Sequence, residues 1–528
     1  MSKNRIGPEE LEGFLSTLRE YKAGKANLES RMIKNEEWWK LHNVSMEGPI
    51  GAPGSYRARS GWLHNVITSK HADGMDALPE AALLAREPGD EAEAAALSRI
   101  LPCILEQNDF ESTFSDVLWQ KLKFGTGCYK VFWDKERLHG LGDVAIRRVN
   151  LLNLFWEPGI TDLRDSRYLF HTELWDRELL EEEYPVCRGK TESAFTAEKF
   201  LYDDRVSTEG KVTVVDVWYH RGRALHYCRF VGSTVLYASE NDPDCREQGF
   251  YLHGDYPFVL DPLFPIEGSP CGYGFIDLCC AQQAEIDLLK TAIVHNAMVG
   301  TVPRYFLRTD GAVNEEEYLD LSRPLIHVSG NLGEDSIRPV PVNGLSGAAL
   351  ALLNETVEEL RETTGTTDTG SGTVSVNMAA SAIQALQDAS GKLSRDSCQG
   401  TFRAFRKIVN LALELIRQFY TVPRAFRITG AAGEEEYLHY SNAGLLPRDQ
   451  GEAFGVRLGS RTPSFDIRVE TQRKSAYSTL AQNELAISLF RAGIFRPELR
   501  DQAVLTLNMM NFPGKESLIK ELRAEQLR

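Results

Sequence analysis

Apolar positions recur at helical spacing across residues 1–45. Leu11, Leu15 and Leu18 fall on one face, and Leu28, Met32, Trp38 and Trp39 add apolar bulk further on. A Gly/Pro-rich stretch from Gly48 to Gly54 predicts a loop. Helical spacing returns from about Glu91 to Phe124 through Leu97, Leu101, Ile104, Leu105, Phe114 and Leu118. The period then shortens. Cys128–Trp133 and Val144–Val149 predict a β-hairpin around the turn residues His139–Gly142. Val212–His220, Leu225–Val231 and Ser233–Ala238 add further strands, so residues 45–265 predict an α+β block.

Pro257, Pro262, Pro265 and Pro270 punctuate the next stretch, and Gly272-Tyr273-Gly274 closes it. A helix of about 25 residues, some 37 Å long, is predicted from Phe275 to the breakers Gly300 and Pro303. A short module over 301–344 carries strand candidates at Arg304–Leu307 and Pro324–Val328 around an acidic run at Glu315–Leu321. A second helix begins near Ser346, carries Leu350, Leu353, Val357 and Leu360 on one face, and stops at Gly365. The segment from Thr363 to Asn377 is built of small and hydroxyl side chains with almost nothing to bury, which predicts a loop facing water or a polar ligand. A very long helical pattern follows from Met378 to Tyr420, with Gly391 and Gly400 as expected bends. A strand at Phe465–Glu470 and helices from Ser475 onward complete the chain.

At 528 residues the chain is long enough for about three or four structural units and a core that needs no disulfides. Its nine cysteines form no Cys-x-x-Cys pair, which predicts buried thiols in a reducing compartment. The N-terminus lacks the apolar core of a signal peptide. The most apolar long stretch, Phe275–Val299, carries Asp277, Glu285, Asp287 and Lys290, so no membrane association is expected. Net charge is −16. Tight nucleic-acid binders neutralise phosphates with a basic surface, so any DNA partner is expected to be held loosely.

Catalytic signatures fail one by one. Gly189-Lys190-Thr191 has Tyr184 where a phosphate-cradling loop needs its first glycine. Gly125-Thr126-Gly127 and Gly272-Tyr273-Gly274 begin like dinucleotide fingerprints, but Lys130 and Asp277 replace the third glycine, so both predict turns. His171-Thr172-Glu173 matches half of a deaminase signature and lacks the Pro-Cys-x-x-Cys half. Neither a nucleophile elbow nor a zinc-protease His-Glu-x-x-His occurs. No catalytic residue, cofactor or metal is expected, although dispersed carboxylates can still converge on metals as in a nuclease.

The order of parts resembles the tailed-bacteriophage portal family. The resemblance rests on Tyr256-Pro257-Phe258 and a Gly-x-Gly before a helix that opens Ala281-Gln282-Gln283. It rests also on a small module between two helices, and on Gly365-Thr366-Thr367-Asp368 followed by the stretch Ala379–Gln387. Asn150–Pro158 with Asp162 and Asp165 adds a further match. The resemblance implies an α+β portal-type fold. Residues 1–265 correspond to the first part of the wing, 266–300 to a stem helix, 301–344 to the clip and 345–365 to the second stem helix. Residues 366–377 correspond to the tunnel loop, 378–470 to a long helix returning to the wing, and 471–528 to a helical crown. It also implies a homo-oligomeric ring, a dodecamer in the family, at one capsid vertex of the virion, assembled in the host cytoplasm. The ring conducts double-stranded DNA without sequence specificity during packaging and ejection. The partners it implies are the terminase large subunit, head-completion and adaptor proteins, and the major capsid and scaffolding proteins.

Residue by residue, the tunnel loop comprises Thr366, Thr367, Asp368, Thr369, Gly370, Ser371, Gly372 and Thr373. Its hydroxyls exchange hydrogen bonds with water or phosphate at little cost, and its glycines let it change shape as a duplex passes. Stem packing is expected between Leu278, Ile286, Leu289 and Ile293 on one helix and Leu350, Leu353, Val357 and Leu360 on the other. Arg304, Arg308, Glu315, Glu316 and Glu317 are the candidate docking residues of the clip. Two other readings stay open on sequence alone: a phage structural or adaptor protein that never encircles DNA, and a nuclease or ATPase with a degenerate site.

Overall fold

One face of the first helix decides where the N-terminal segment goes. Leu11, Phe14, Leu15, Leu18 and Tyr21 repeat at three- and four-residue intervals, and all are buried. They cover a sheet face formed by Phe170, Val215, Val217, Tyr219, Cys228 and Phe230. In the computed structural model the described residues are 5–41, 58–190, 210–301, 305–307, 337–339, 347–365, 392–429, 435–449, 452–453, 456–457, 459–471 and short pieces between 487 and 507.

Among the described residues the α-helices of seven residues or more are α1 (Pro8–Trp39), α2 (Trp62–Met75), α3 (Glu91–Gln107), α4 (Phe110–Phe124), α5 (Arg177–Glu183), α6 (Phe275–Thr301), α7 (Gly347–Thr364) and α8 (Lys392–Phe419). The strands of more than two residues are β1 (Pro79–Ala85), β2 (Thr126–Asp134), β3 (Asp143–Arg148), β4 (Leu154–Trp156), β5 (Tyr168–Asp176), β6 (Lys211–Arg221), β7 (Ala224–Val231), β8 (Thr234–Ala238) and β9 (Phe258–Pro262). They continue with β10 (Tyr305–Leu307), β11 (Ile337–Pro339), β12 (Arg424–Thr429), β13 (Glu435–Tyr440) and β14 (Phe465–Thr471). The fold is therefore mixed α and β, as expected. It divides into two units: residues 1–33, 67–275 and 365–528 in the first, and 34–66 and 276–364 in the second.

In the first unit, β4 to β8 form a five-stranded antiparallel sheet in sequence order. One face takes α1. Past Tyr21 the buried stripe of α1 turns polar at Lys25, whose ammonium donates to the carbonyls of Leu151 and Leu154 and lies 4.6 Å from the Phe155 ring. Burial pushes this ammonium down to about 8. A second sheet, β3-β2-β9, is covered by α4 and by α8. The buried face of α8 carries Phe405, Ile408, Val409, Ala412, Leu415 and Ile416. β1 and β14 pair antiparallel along their full length, from Pro79 opposite Thr471 to Ala85 opposite Phe465, and α3 and α8 pack on them.

Several expectations shift in detail. The helical region 91–124 is two helices, because Asn108 breaks it and Asp109 takes a left-handed backbone, φ 47°. The Asn108 amide donates to the carbonyls of Ile104 and Val144 and accepts from Ile146 N–H and Arg137, so one side chain ties the break to β3. α8 runs unbroken through Gly400, which lies against the side chains of Lys121 and Asp261, while Gly391 and the expected stretch 378–391 lie outside the described residues. The two Gly-x-Gly motifs lie at junctions rather than within turns. Gly125 ends α4 and Gly127 is already in β2, while Gly272 is in a short strand pair with Phe264–Pro265 and Gly274 directly precedes α6. The two motifs meet each other. A Cβ on Gly125 would come within 2.4 Å of the Tyr273 backbone, and one on Gly274 within 2.9 Å of Gly125 N. Thr126 Oγ1 accepts from Gly272 N–H at 2.8 Å across the same contact. β1, β4, β5, β9 and the β12–β13 hairpin were not foreseen.

In the second unit a polar ladder runs along one face of α6. Gln283, Asp287 and Thr291 stand four residues apart and are all buried. They hold the chain entering α2: Ala58 N–H donates to Thr291 Oγ1, Ser60 N–H to Asp287 Oδ1 and Leu63 N–H to Gln283 Oε1. The first turn of α2 is thus capped by side chains from another helix. Trp62 lies 5.9 Å from Lys290 of α6 and 5.5 Å from Arg361 of α7. β10 pairs with β11, which agrees with the strand foreseen at Arg304–Leu307; the one expected at Pro324–Val328 lies outside the described residues.

Leu18→Ala is expected to destabilise the protein by about 2–5 kcal/mol in denaturant unfolding, because it removes a fully buried side chain from the α1 seam. Leu138→Ala, at a side chain 51% exposed, should change stability by less than about 0.5 kcal/mol. Equal effects would show that α1 does not depend on this seam.

Candidate functional site

In sequence the hydroxyl-rich segment lies between α7 and α8, and each of these helices has its own end or anchor. α7 ends where Thr364 Oγ1 donates back to the Leu360 carbonyl at 2.9 Å and Gly365 takes φ 64°, a left-handed stop that suits glycine. On the other side α8 is fixed by a buried ion pair. Lys121 of α4 and Asp261 of β9 are 0% and 2% exposed, with Nζ and Oδ1 at 2.9 Å. Lys121 Nζ also donates to the Ser397 carbonyl at 3.1 Å and to Thr401 Oγ1 at 2.7 Å, which uses all three of its protons. Thr401 Oγ1 in turn donates to Asp261 Oδ2 at 2.9 Å. The first turns of α8 are thereby pinned to α4 and β9. The sequence carried one sign of this: Lys121 interrupts the apolar run Phe114, Leu118, Leu122 on the inner face of α4.

A second polar cluster lies on the sheet. His171 and Glu173 of β5 and Asp216 of β6 place ligand-type atoms within 4.8 Å of one another, the only such group among the described residues. Its surroundings oppose a metal. Arg229 donates to both oxygens of Asp216, at 2.7 and 3.1 Å, and Tyr227 donates to the same carboxylate at 2.8 Å. Lys130 Nζ stands 3.5 Å away. Burial opposes ionisation of Asp216, yet Arg229 and Lys130 hold its carboxyl well below the usual range. Burial, and then Lys130, push His171 down and keep it neutral. Two cations occupy the carboxylate a metal would need, so the half-signature His171-Thr172-Glu173 belongs to a structural charge network.

A cleft of about 270 Å³ opens in the first unit beside Asp162, Arg164, Tyr256, Lys407 and Glu414. Its lining includes no serine, cysteine or histidine, and Asp162 accepts from Arg164 at 3.1 Å. All nine cysteines are unpaired; five are buried and four half-buried. Burial pushes the Cys271 thiol up to about 11.

A family model described as phage P22-like portal protein matches residues 77–230 and 265–528. The chain belongs to that portal protein family. The match takes in α4, α8 and the hydroxyl-rich segment between α7 and α8, while β9 with Asp261 falls in its gap. No curated protein matches the chain.

Within this portal protein the expected site residues are placed as follows. The tunnel-loop residues Thr366, Thr367, Asp368, Thr369, Gly370, Ser371, Gly372 and Thr373 lie outside the described residues. So do the clip residues Arg304, Arg308, Glu315, Glu316 and Glu317. Of the stem residues, Ile286 and Leu360 are buried; Leu278, Leu289, Ile293, Leu353 and Val357 are half-buried; Leu350 is 45% exposed. No described helix is long and apolar enough to cross a membrane. Sequence reasoning missed the Lys121–Asp261–Thr401 anchor and the ladder on α6.

Lys121→Met is expected to cost about 3–5 kcal/mol, because it leaves the Asp261 carboxylate buried without a cation. The double variant Lys121→Met with Asp261→Leu should recover most of that loss in the same denaturation assay, and additive losses would refute the pairing. Millimolar Zn²⁺ should leave the melting temperature of the wild-type protein unchanged, whereas a rise that vanishes in a His171→Ala variant would restore a metal reading of the sheet cluster.

Proposed function

We propose that this portal protein assembles as a closed ring at one vertex of the capsid and conducts double-stranded DNA through its centre without catalysing any bond change. The family match over residues 77–230 and 265–528 carries this reading. Composition supports it. A conduit must surround DNA without gripping it, and each lysine or arginine on a phosphate adds affinity and drag. Many copies of a chain of net charge −16 repel a duplex weakly and keep it centred. The loop 366–373 contains no lysine or arginine and five hydroxyl side chains, which suits transient contact with a moving backbone. The left-handed stop at Gly365 ahead of the loop is compatible with a segment that changes shape.

In this reading α6 and α7 form the stem, and residues 301–344 form the clip. The clip receives the terminase large subunit during packaging and head-completion proteins afterwards. Glu315, Glu316 and Glu317 offer a basic partner a compact acidic contact.

Electron microscopy of the purified protein should reveal rings with a central hole; compact particles without one would refute the conduit. Replacing Thr366, Thr367 and Thr369 with lysine should tighten double-stranded DNA binding to the rings and steepen its salt dependence. The expected log–log slope change is about 0.9 per added phosphate contact. An unchanged slope would place the loop away from DNA.

A further inference from the structure

The two helices that flank the hydroxyl-rich segment carry exposed stripes of opposite charge. On α7, Glu355, Glu358, Glu359 and Glu362 are all exposed. Their spacing of three, four and seven residues puts them on one face about 10 Å long. None of the four makes an ion pair among the described residues, and the helix's one basic residue, Arg361, lies 5.5 Å from the Trp62 ring. The same outward side carries exposed Leu352, 43% accessible, one turn before Glu355. On α8, Arg395, Arg403 and Arg406 are exposed and span about 16 Å along a face that also carries Gln399 and Asn410. Lys407 at its margin reaches Asp162 at 4.0 Å. Arg403 and Arg406 make no ion pair among the described residues. Asp396 is the only acid from Lys392 to Lys407, in a chain whose acids outnumber its bases by 75 to 59.

We propose that the acidic stripe of α7 in one subunit docks on the basic stripe of α8 in the neighbouring subunit and so sets the register of the ring. The proposal rests on the ring reading above. A ring needs a head-to-tail interface made of two different patches on the same chain, each complementary to the other. The two stripes satisfy that requirement in sign, and the shorter acidic one fits within the span of the basic one. An arginine fork also meets a carboxylate in two parallel hydrogen bonds, which fixes orientation as well as attraction. Exposed ion pairs are individually weak and are screened by salt, so the device supplies register and approach more than cohesion. The exposed Leu352 adds an apolar contact beside the charges.

The test uses the full-length protein and mass photometry across a salt series. Arg403→Glu with Arg406→Glu should lose the ring peak at low salt, and so should Glu358→Arg with Glu362→Arg. The four changes together should restore it. The neutral pair Arg403→Gln with Arg406→Gln keeps the fold under least strain and should shift ring disassembly to lower salt. The proposal is overturned if the reversals leave the ring peak unchanged, or if the combined variant does not recover it while its circular dichroism is native. It is equally overturned if the arginine reversals spare the ring and only weaken DNA binding, since phosphate would then be the occupant. A wild-type protein that forms no ring at all overturns the ring reading itself, an outcome distinguishable from every other.

Discussion

A lysine with no access to water sets the frame of the first unit. Lys121, Asp261 and Thr401 come from three segments separated by 140 residues each, and they meet in one hydrogen-bonded knot. Charges are costly to bury, and this pair is tolerable because every ammonium proton and both carboxylate oxygens have a partner. A partly satisfied knot would be worse than an apolar contact. The geometry therefore admits one placement of α8 on α4 and β9, and the apolar face through Phe405, Ile408 and Val409 packs around that placement. Hydrophobic burial supplies the cohesion here, and the ion pair supplies the position.

The same logic recurs in the second unit in neutral form. Gln283, Asp287 and Thr291 use one face of α6 to satisfy backbone groups at the start of α2. Backbone groups leading into α2 are satisfied from another helix. The sheet cluster around Asp216 completes the pattern, with Arg229, Tyr227 and Lys130 all directed at one carboxylate. In each place a buried polar residue fixes the relation between elements that apolar contact alone would allow to slide.

Periodicity made much of this architecture legible. Leu11, Leu15 and Leu18 announced the buried face of α1, and the alternation in 211–238 announced β6 to β8. The stop at Gly365 followed from glycine's freedom at positive φ. What escaped was non-local. Strand β1 is read by its pairing with β14, and nothing in Pro79–Ala85 names a partner. Asn108 divides a continuous helical pattern through bonds to β3, which spacing along the chain cannot show. Lys121 looked like a flaw in an apolar face because Asp261 is far away in sequence. Membership of the family was legible from the helices, the small module and the hydroxyl-rich segment of the sequence. The identity of the residues that fix α8 was not.

The pairing of β1 with β14 has a consequence for synthesis. Arg86 meets Asp466 across 380 residues of chain, at the end of that two-stranded sheet. The ribosome therefore releases β1 long before its partner exists. Until then the strand presents unsatisfied backbone groups on one edge and Leu83 without its cover, a template for wrong pairing. Contacts this distant also close slowly. A nascent chain that stops before residue 465 lacks β14 and leaves β1, with α3 packed on it, unpaired.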